Sequence, residues 1–178
     1  MKKKNINSGW CIIIYGFSGA GKTTTSKNIK NKIESLLGKT IILDGDEVRG
    51  FFSKIGLKFG YKLSENNKTV IPKLELLNLI LKRNINIIYP SIFLNKVAIE
   101  KFTKGIDNII KIHIKCDIKD IIKYGSKKKI YQRKNVVGLD IKPVYPKKPH
   151  ITVVNDFKKD TLFLSKEISK KIKKIFKK

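Results

Sequence analysis

Sulfur and imidazole are scarce in this 178-residue chain, which has two cysteines, two histidines and one methionine. Cys11 and Cys116 are too few for a disulfide framework, and each sits in an apolar, strand-like context. They read as core residues of a reduced, cytoplasmic protein. His113 and His150 stand far apart, so no Cys/His cluster has metal-site spacing. Long apolar runs are missing as well. The run Trp10–Tyr15 stops at Gly16, too short for a secretory leader or a membrane span. Acidic residues are few, 14 Asp+Glu against 40 Lys+Arg, for a formal net charge of +26. Such a surplus suggests a polyanionic partner. Yet only three of the basic residues are arginine (Arg49, Arg83 and Arg133), and alanine occurs only at Ala20 and Ala98. A chain rich in Lys, Ile and Asn and poor in Ala and Arg is also what AT-rich coding produces. The basic residues are spread along the chain, with no aromatic-interleaved basic motif. A nucleotide-dependent nucleic-acid-binding protein therefore stays as an alternative, while the expectation is no nucleic-acid partner.

Hydrophobic residues make up 41% of the chain, enough for the core of one domain spanning 1–178. Short β-rich runs alternate with longer helical patterns. Strands are expected at Cys11–Tyr15, Thr40–Leu43, Asn86–Tyr89, Asn108–Lys115 and Ile151–Val154. Helices are expected at Lys22–Leu37, closed by Gly38, and at Ser64–Lys82, where Pro72 marks a start or a kink. A third, amphipathic helix is expected over about 160–178, with Leu164, Ile168, Ile172 and Ile175 on one face. Strands separated by helices give an α/β fold: a five-stranded, mostly parallel sheet with helices on both faces. Functional loops then fall at the carboxyl ends of the strands.

Gly16-Phe17-Ser18-Gly19-Ala20-Gly21-Lys22-Thr23 fits the phosphate-binding pattern G-x-x-x-x-G-K-[ST], after an expected strand and opening an expected helix. Backbone N–H groups of such a loop turn inward onto phosphate oxygens, and the helix N-terminus adds partial positive charge. Lys22 should reach the β- and γ-phosphates of ATP, and the Thr23 hydroxyl should ligate Mg²⁺. Thr24 completes the tract. One unit later, Asp44-Gly45-Asp46 ends the second strand at the same sheet edge. Carboxylates there can take a proton from a hydroxyl or hold metal-bound water, or simply cap a turn. Arg49, one helical turn on, can fork onto a phosphate-like group. Tyr124–Asn135, with Lys127, Lys128, Lys129, Arg133 and Lys134, reads as a lid over about 124–140 or as a solvated loop.

GFSGAGKTT followed by LDGDEVRG resembles the adenylylsulfate kinase family, and the likeness runs from about Trp10 to Asn155. It continues through Gly60-Tyr61, KKIYQRK, Val137-Gly138-Leu139-Asp140 and VYPKKPHI. The resemblance implies a three-layer P-loop kinase fold with a lid. The implied reaction moves the γ-phosphate of ATP to the 3′-hydroxyl of a nucleotide whose 5′-phosphate carries a sulfuryl group. Asp46 would face that hydroxyl, Arg49 the acceptor's anionic end, and Tyr61 would stack on its base. Asp140 matches a lid-side aspartate, and Ser91, Lys128, Tyr131 and Arg133 fall in tracts that line the acceptor and lid. A homodimer is carried over from the family.

The departures cluster on the acceptor side. The family's D-R-x-x-N reads Glu65, Asn66 and Thr69 here, and a phenylalanine that covers the acceptor's base reads Val136. The I-S-P-[YF]-R segment reads Ser91-Ile92-Phe93-Leu94-Asn95, without its proline or arginine. One branch of the family phosphorylates the 3′-hydroxyl of cytidine diphosphoramidate in capsule modification, and a smaller pyrimidine tolerates a thinner sandwich. The expectation is a family member with a changed acceptor, cytidine diphosphoramidate ahead of adenylylsulfate; the alternative is an ordinary adenylylsulfate kinase of sulfate assimilation.

Overall fold

The computed structural model describes residues 7–56, 63–93, 96–126, 128–133 and 136–177, the side chains of 63–67 excepted. The chain runs β1 (Cys11–Tyr15), α1 (Lys22–Leu37), β2 (Thr40–Ile42), α2 (Gly45–Lys54), α3 (Leu63–Leu81), β3 (Asn86–Ser91), α4 (Lys96–Gly105), β4 (Ile109–Lys115), α5 (Ile118–Tyr124), a 3₁₀ turn (Lys128–Gln132), β5 (Ile151–Val154) and α6 (Thr161–Phe176). The five strands lie in the order β2-β3-β1-β4-β5, and each neighbouring pair is parallel. The sheet is thus wholly parallel, and the family resemblance holds at the level of the fold.

Strand β1 explains the layering. It is the central strand, buried over its whole length. Side chains of a strand alternate between the two faces. Cys11, Ile13 and Tyr15 join a core with Val48 and Phe52 of α2, Val70 and Leu77 of α3, and Phe102 of α4. Ile12 and Ile14 join a second core with Ile29 and Ile33 of α1 and Ile168 and Ile172 of α6. The run CIIIY carries no polar alternation because both of its faces meet helices.

No helix was expected at α4 or α5, and α2 was expected only as the turn that carries Arg49. α2, α4 and α5 are 10, 10 and 7 residues long, too short to show a periodic stripe. Their few apolar residues suffice because the sheet is already there to receive them, as with Ala98, Ile99 and Phe102 of α4. The Asp44-Gly45-Asp46 tract caps α2, one of the roles open to it in the sequence. Asp44 is the N-cap, accepting from the Asp46 N–H, and Glu47 bonds back to the Asp44 N–H to complete a capping box. Pro72 lies inside α3, not at its start. Its missing N–H frees the carbonyl of Lys68, an exposed residue, where water can take it. Within the expected basic loop, Lys128–Gln132 forms the 3₁₀ turn. Lys127 and Lys134 lie outside the described residues.

Candidate functional site

The phosphate loop leaves the carboxyl end of β1, where the strand must turn sharply into α1. Gly16 makes that turn possible: its φ is +151°, and a Cβ there would fall 2.3 Å from the Ile114 carbonyl oxygen of β4. The loop ends at Gly21, the N-cap of α1, so the first amides of the helix face the loop's interior. Lys22 Nζ donates to the carbonyls of Gly16 (3.1 Å) and Phe17 (2.7 Å), holding its ammonium across the loop. Thr24 is exposed and Ala20 is buried beneath the loop.

Two distant side chains brace this loop. The Tyr131 hydroxyl, from the 3₁₀ turn, donates to the Ser18 carbonyl at 2.6 Å. Burial pushes the Tyr131 pKa to about 12, so the phenol keeps the proton it donates. Asn155 Nδ2, just past β5, donates to the Ala20 carbonyl at 3.2 Å. The outer wall is apolar. Gly138 has φ +103°, and a Cβ there would meet Phe17 and Ile118 at 2.8 Å, so the Val136–Ile141 turn can lie directly on the loop's Phe17.

That packing changes the role of several expected residues. Val136 is buried with Ile121 and Tyr131, so its side chain turns into this small core instead of offering a face to a base. Tyr131 is spent on the phosphate loop. Asp140 Oδ2 accepts from the Val136 N–H and closes its own turn. Lys128 and Arg133 stay exposed at the ends of the 3₁₀ turn.

On the other side of the loop, the Thr23 hydroxyl donates to Asp44 Oδ2 at 2.8 Å. Two hard oxygens brought together beside a phosphate loop fit Mg²⁺, which needs one or two protein oxygens when phosphates and water supply the rest. Asp46, in the first turn of α2, has a side chain 74% exposed, and its Oδ1 pairs with Arg49 Nη1 at 3.2 Å. The first turn of α2 sits on the end of β3: a Cβ at Gly45 would lie 3.3 Å from the Pro90 carbonyl and 3.4 Å from Ser91 Oγ. Ser91 also hydrogen-bonds the phenol of Tyr89. Asp44, Asp46, Arg49 and Ser91 therefore meet at one edge, next to Thr23. Tyr61 and the side chain of Asn66 lie outside the described residues.

The sequence reading missed three features. Burial and the charge of Arg49 together bring the pKa of Lys73 on α3 down to about 8, against a partial pull upward from Asp46. A lysine among Leu, Ile and Pro gave no spacing signal. A cavity of about 430 Å³ opens beside the loop, lined among others by Phe17, His113, Cys116, Tyr145 and Asn155. Its aromatic wall comes from His113, whose ring stacks on Tyr15 at 4.8 Å and meets Tyr145 at 4.7 Å. Burial lowers the His113 pKa, helped by Lys115, which favours a neutral ring there. Asn155, directly after the last strand, is the third; its place at a carboxyl strand end was the available signal.

Comparison with known proteins agrees with this geometry. Residues 8–154 match the family model described as adenylylsulphate kinase. The chain is 24% identical over 141 residues to a cytidine diphosphoramidate kinase from Campylobacter jejuni, covering 76% of this chain and 80% of that protein. Among solved structures, the Mycobacterium tuberculosis APS kinase in complex with AMPPNP and APS superposes with a TM-score of 0.71 at 15% identity, over 93% of this chain and 98% of that one. A hexameric APS kinase from Thiobacillus denitrificans gives 0.63 at 16% identity, covering 94% of this chain and 29% of the other. No helix among the described residues is long and apolar enough to cross a membrane. The loop, its lysine and the aspartates at the end of β2 thus stand in a chain that belongs to the adenylylsulfate kinase family and is an ATP-dependent phosphotransferase.

Proposed function

We propose that the enzyme phosphorylates the 3′-hydroxyl of a nucleotide acceptor, with cytidine diphosphoramidate used in preference to adenylylsulfate. The observation that carries this reading is the asymmetry of the site. The donor-side residues Gly16 to Thr23 are all present and braced, while the family's acceptor-side arginine and asparagine are replaced by Asn66 and Thr69 and its base-covering phenylalanine by the inward-turned Val136. The similarity to a cytidine diphosphoramidate kinase supports the same direction.

In this reading the ATP phosphates lie in the loop against the α1 N-terminus and Lys22, with the base toward the cavity beside Phe17 and Tyr145. Mg²⁺ would be held by Thr23 and Asp44 and would neutralise phosphate charge. Asp46, oriented by Arg49, accepts the proton of the acceptor's 3′-hydroxyl as that oxygen attacks the γ-phosphorus. The bond to the β–γ bridging oxygen breaks and ADP leaves. Positioning and charge neutralisation supply the rate. Tyr131 and Asn155 act by keeping the loop carbonyls turned outward, which leaves its amides for phosphate.

The test is a panel of acceptors incubated with Mg·ATP and followed by ³¹P NMR, with Lys22→Ala as the blank. A new 3′-phosphomonoester on cytidine diphosphoramidate supports the reading. Transfer to adenylylsulfate alone returns the enzyme to sulfate assimilation.

A further inference from the structure

The tract 142–150, which leads into β5, forms a strap with no helix or strand of its own. Tyr145, in its middle, is part of the wall of the cavity beside the phosphate loop. Its ring meets His113 at 4.7 Å, Tyr15 at 5.7 Å and Phe17 of the loop at 6.1 Å. Two long hydrogen bonds flank it. The Val144 N–H donates to the Phe93 carbonyl at 3.3 Å, and the Tyr15 hydroxyl donates to the Pro146 carbonyl at 3.2 Å. Pro143, Pro146 and Pro149 have no N–H, so the strap has few donors with which to fasten itself.

The short bonds all involve Lys111 of β4. Its Nζ donates to the Lys147 carbonyl at 2.8 Å, its carbonyl accepts from the His150 N–H at 2.8 Å, and its N–H donates to His150 Nδ1 at 2.9 Å. The last bond replaces a rung of the sheet. The β4–β5 ladder begins at the Ile112–Ile151 pair. One rung earlier, a parallel ladder would offer the Lys111 N–H the carbonyl of Lys148. Lys148 has φ +51°, which turns the strap off the ladder, and the His150 ring stands in for the missing carbonyl. A ring nitrogen accepts only while it carries no proton. The charged groups around it are cations: Lys111 of β4 bears on His150, and Lys148 of the strap bears on Lys111. Lys171 of α6, bound to the Thr152 carbonyl, is paired with Glu167. Among the described residues no carboxylate is paired with His150. Burial, helped by the Lys111 charge, holds the His150 pKa below the ordinary 6.5.

We propose that His150 is a positioning residue for the donor site: its unprotonated ring clasps the strap to β4 and holds Tyr145 against Phe17 and the cavity, and its protonation opens the clasp and weakens nucleotide binding at acid pH. The proposal rests on the placement of the donor's base in that cavity and is independent of the acceptor. Protonated, Nδ1 sets a donor against the Lys111 N–H, so the bond is lost outright. His150 is exposed, so solvent protons reach the ring without unfolding. The bond is a single neutral one, so the effect is graded and a few-fold in size. The two long bonds beside Tyr145 remain and keep the strap near its place.

The test compares the full wild-type chain with H150N and H150A. Asparagine brings Oδ1 close to where Nδ1 stands and takes up no proton. Mg·ADP is titrated calorimetrically at about pH 8 and about pH 5, on either side of an imidazole's titration. At the higher pH, H150A should bind about threefold more weakly than the wild type and H150N as the wild type does, as expected for one neutral hydrogen bond. On acidification the wild type should lose about threefold more affinity than H150N and fall to the level of H150A. Protonation of ADP and of His113 is common to all three proteins and cancels. By NMR, the Lys111 amide shift should follow the His150 titration in the wild type and stay flat in H150N. Equal pH profiles in the wild type and H150N overturn the proposal, as does H150A binding like the wild type at the higher pH or failure of H150N to rescue. Failure of the wild type to bind Mg·ADP overturns it together with the donor-site reading, whereas a Lys111 amide that ignores His150 overturns the clasp alone.

Discussion

Lys22, Tyr131 and Asn155 reach the phosphate loop from three separate parts of the chain and fix its carbonyls with hydrogen bonds of 2.6 to 3.2 Å. The proposed acceptor end is built differently. Asp46 projects into water from the first turn of a 10-residue helix, where it pairs with Arg49, and burial together with the Arg49 charge lowers the pKa of Lys73 on α3. Among the described residues the donor end is thus held at more points than the proposed acceptor end. A loop held from several sides keeps its residues, because each loss would release main-chain groups that shape the phosphate site. Exposed side chains on α2, such as Asp46, can be exchanged without disturbing the sheet. On the proposed reading, specificity is set at the acceptor end.

The sharpest break of this contrast comes from Lys22→Ala, which should lower kcat by at least ~10³ through lost charge stabilisation of the transferring phosphoryl group. Its melting temperature should stay close to that of the wild type, checked by calorimetry alongside turnover. Next in size is Asp46→Asn at the acceptor end. Removing a general base should lower kcat by ~10²–10⁴ while the KM for ATP holds. Near-normal turnover in that variant would remove Asp46 from the proton transfer.

Tyr131→Phe probes the brace instead of the chemistry. It leaves the Ser18 carbonyl without its donor, a loss of about 1 kcal/mol, so kcat/KM for ATP should drop by roughly fivefold. The KM of the acceptor should not move. An equal loss for both substrates would mean that the 3₁₀ turn serves the whole site.

The smallest effect is a pH dependence. Lys73 has a pKa near 8 in the fold against 10.5 for a free lysine. Between those values the unfolded chain binds more protons, so the stability of the wild type rises with pH through that window. In K73M the contribution is missing. The melting-temperature advantage of K73M over the wild type should therefore shrink as pH increases from 8 toward 10.5, and a constant difference would place Lys73 in ordinary solvent.

Much of this contrast is legible in the amino-acid order alone. The five strands, α1, α3 and α6 announce themselves because they are long or uniformly apolar, and the phosphate loop because its residues are contiguous. The roles of Val136, Tyr131 and Asp140 are not legible there. Their tract is continuous with lid residues, and only the close approach of Gly138 to Phe17 turns it inward. Lys73 is hidden for another reason: its meaning depends on Arg49, 24 positions away, and on a stripe interrupted by Pro72. Contacts between helices of different units leave no period in a sequence.

The most direct measurement of the central claim is kcat/KM for cytidine diphosphoramidate and for adenylylsulfate at fixed Mg·ATP, since that ratio compares transition-state binding of the two acceptors. An acceptor end that has exchanged the family's contacts predicts the pyrimidine acceptor to be preferred by about tenfold or more, in line with the ~1–3 kcal/mol carried by one base stack. A tenfold preference for adenylylsulfate would contradict it: the substitutions at Asn66, Thr69 and Val136 would then be neutral, and the acceptor end would work as the family's does despite its changed residues.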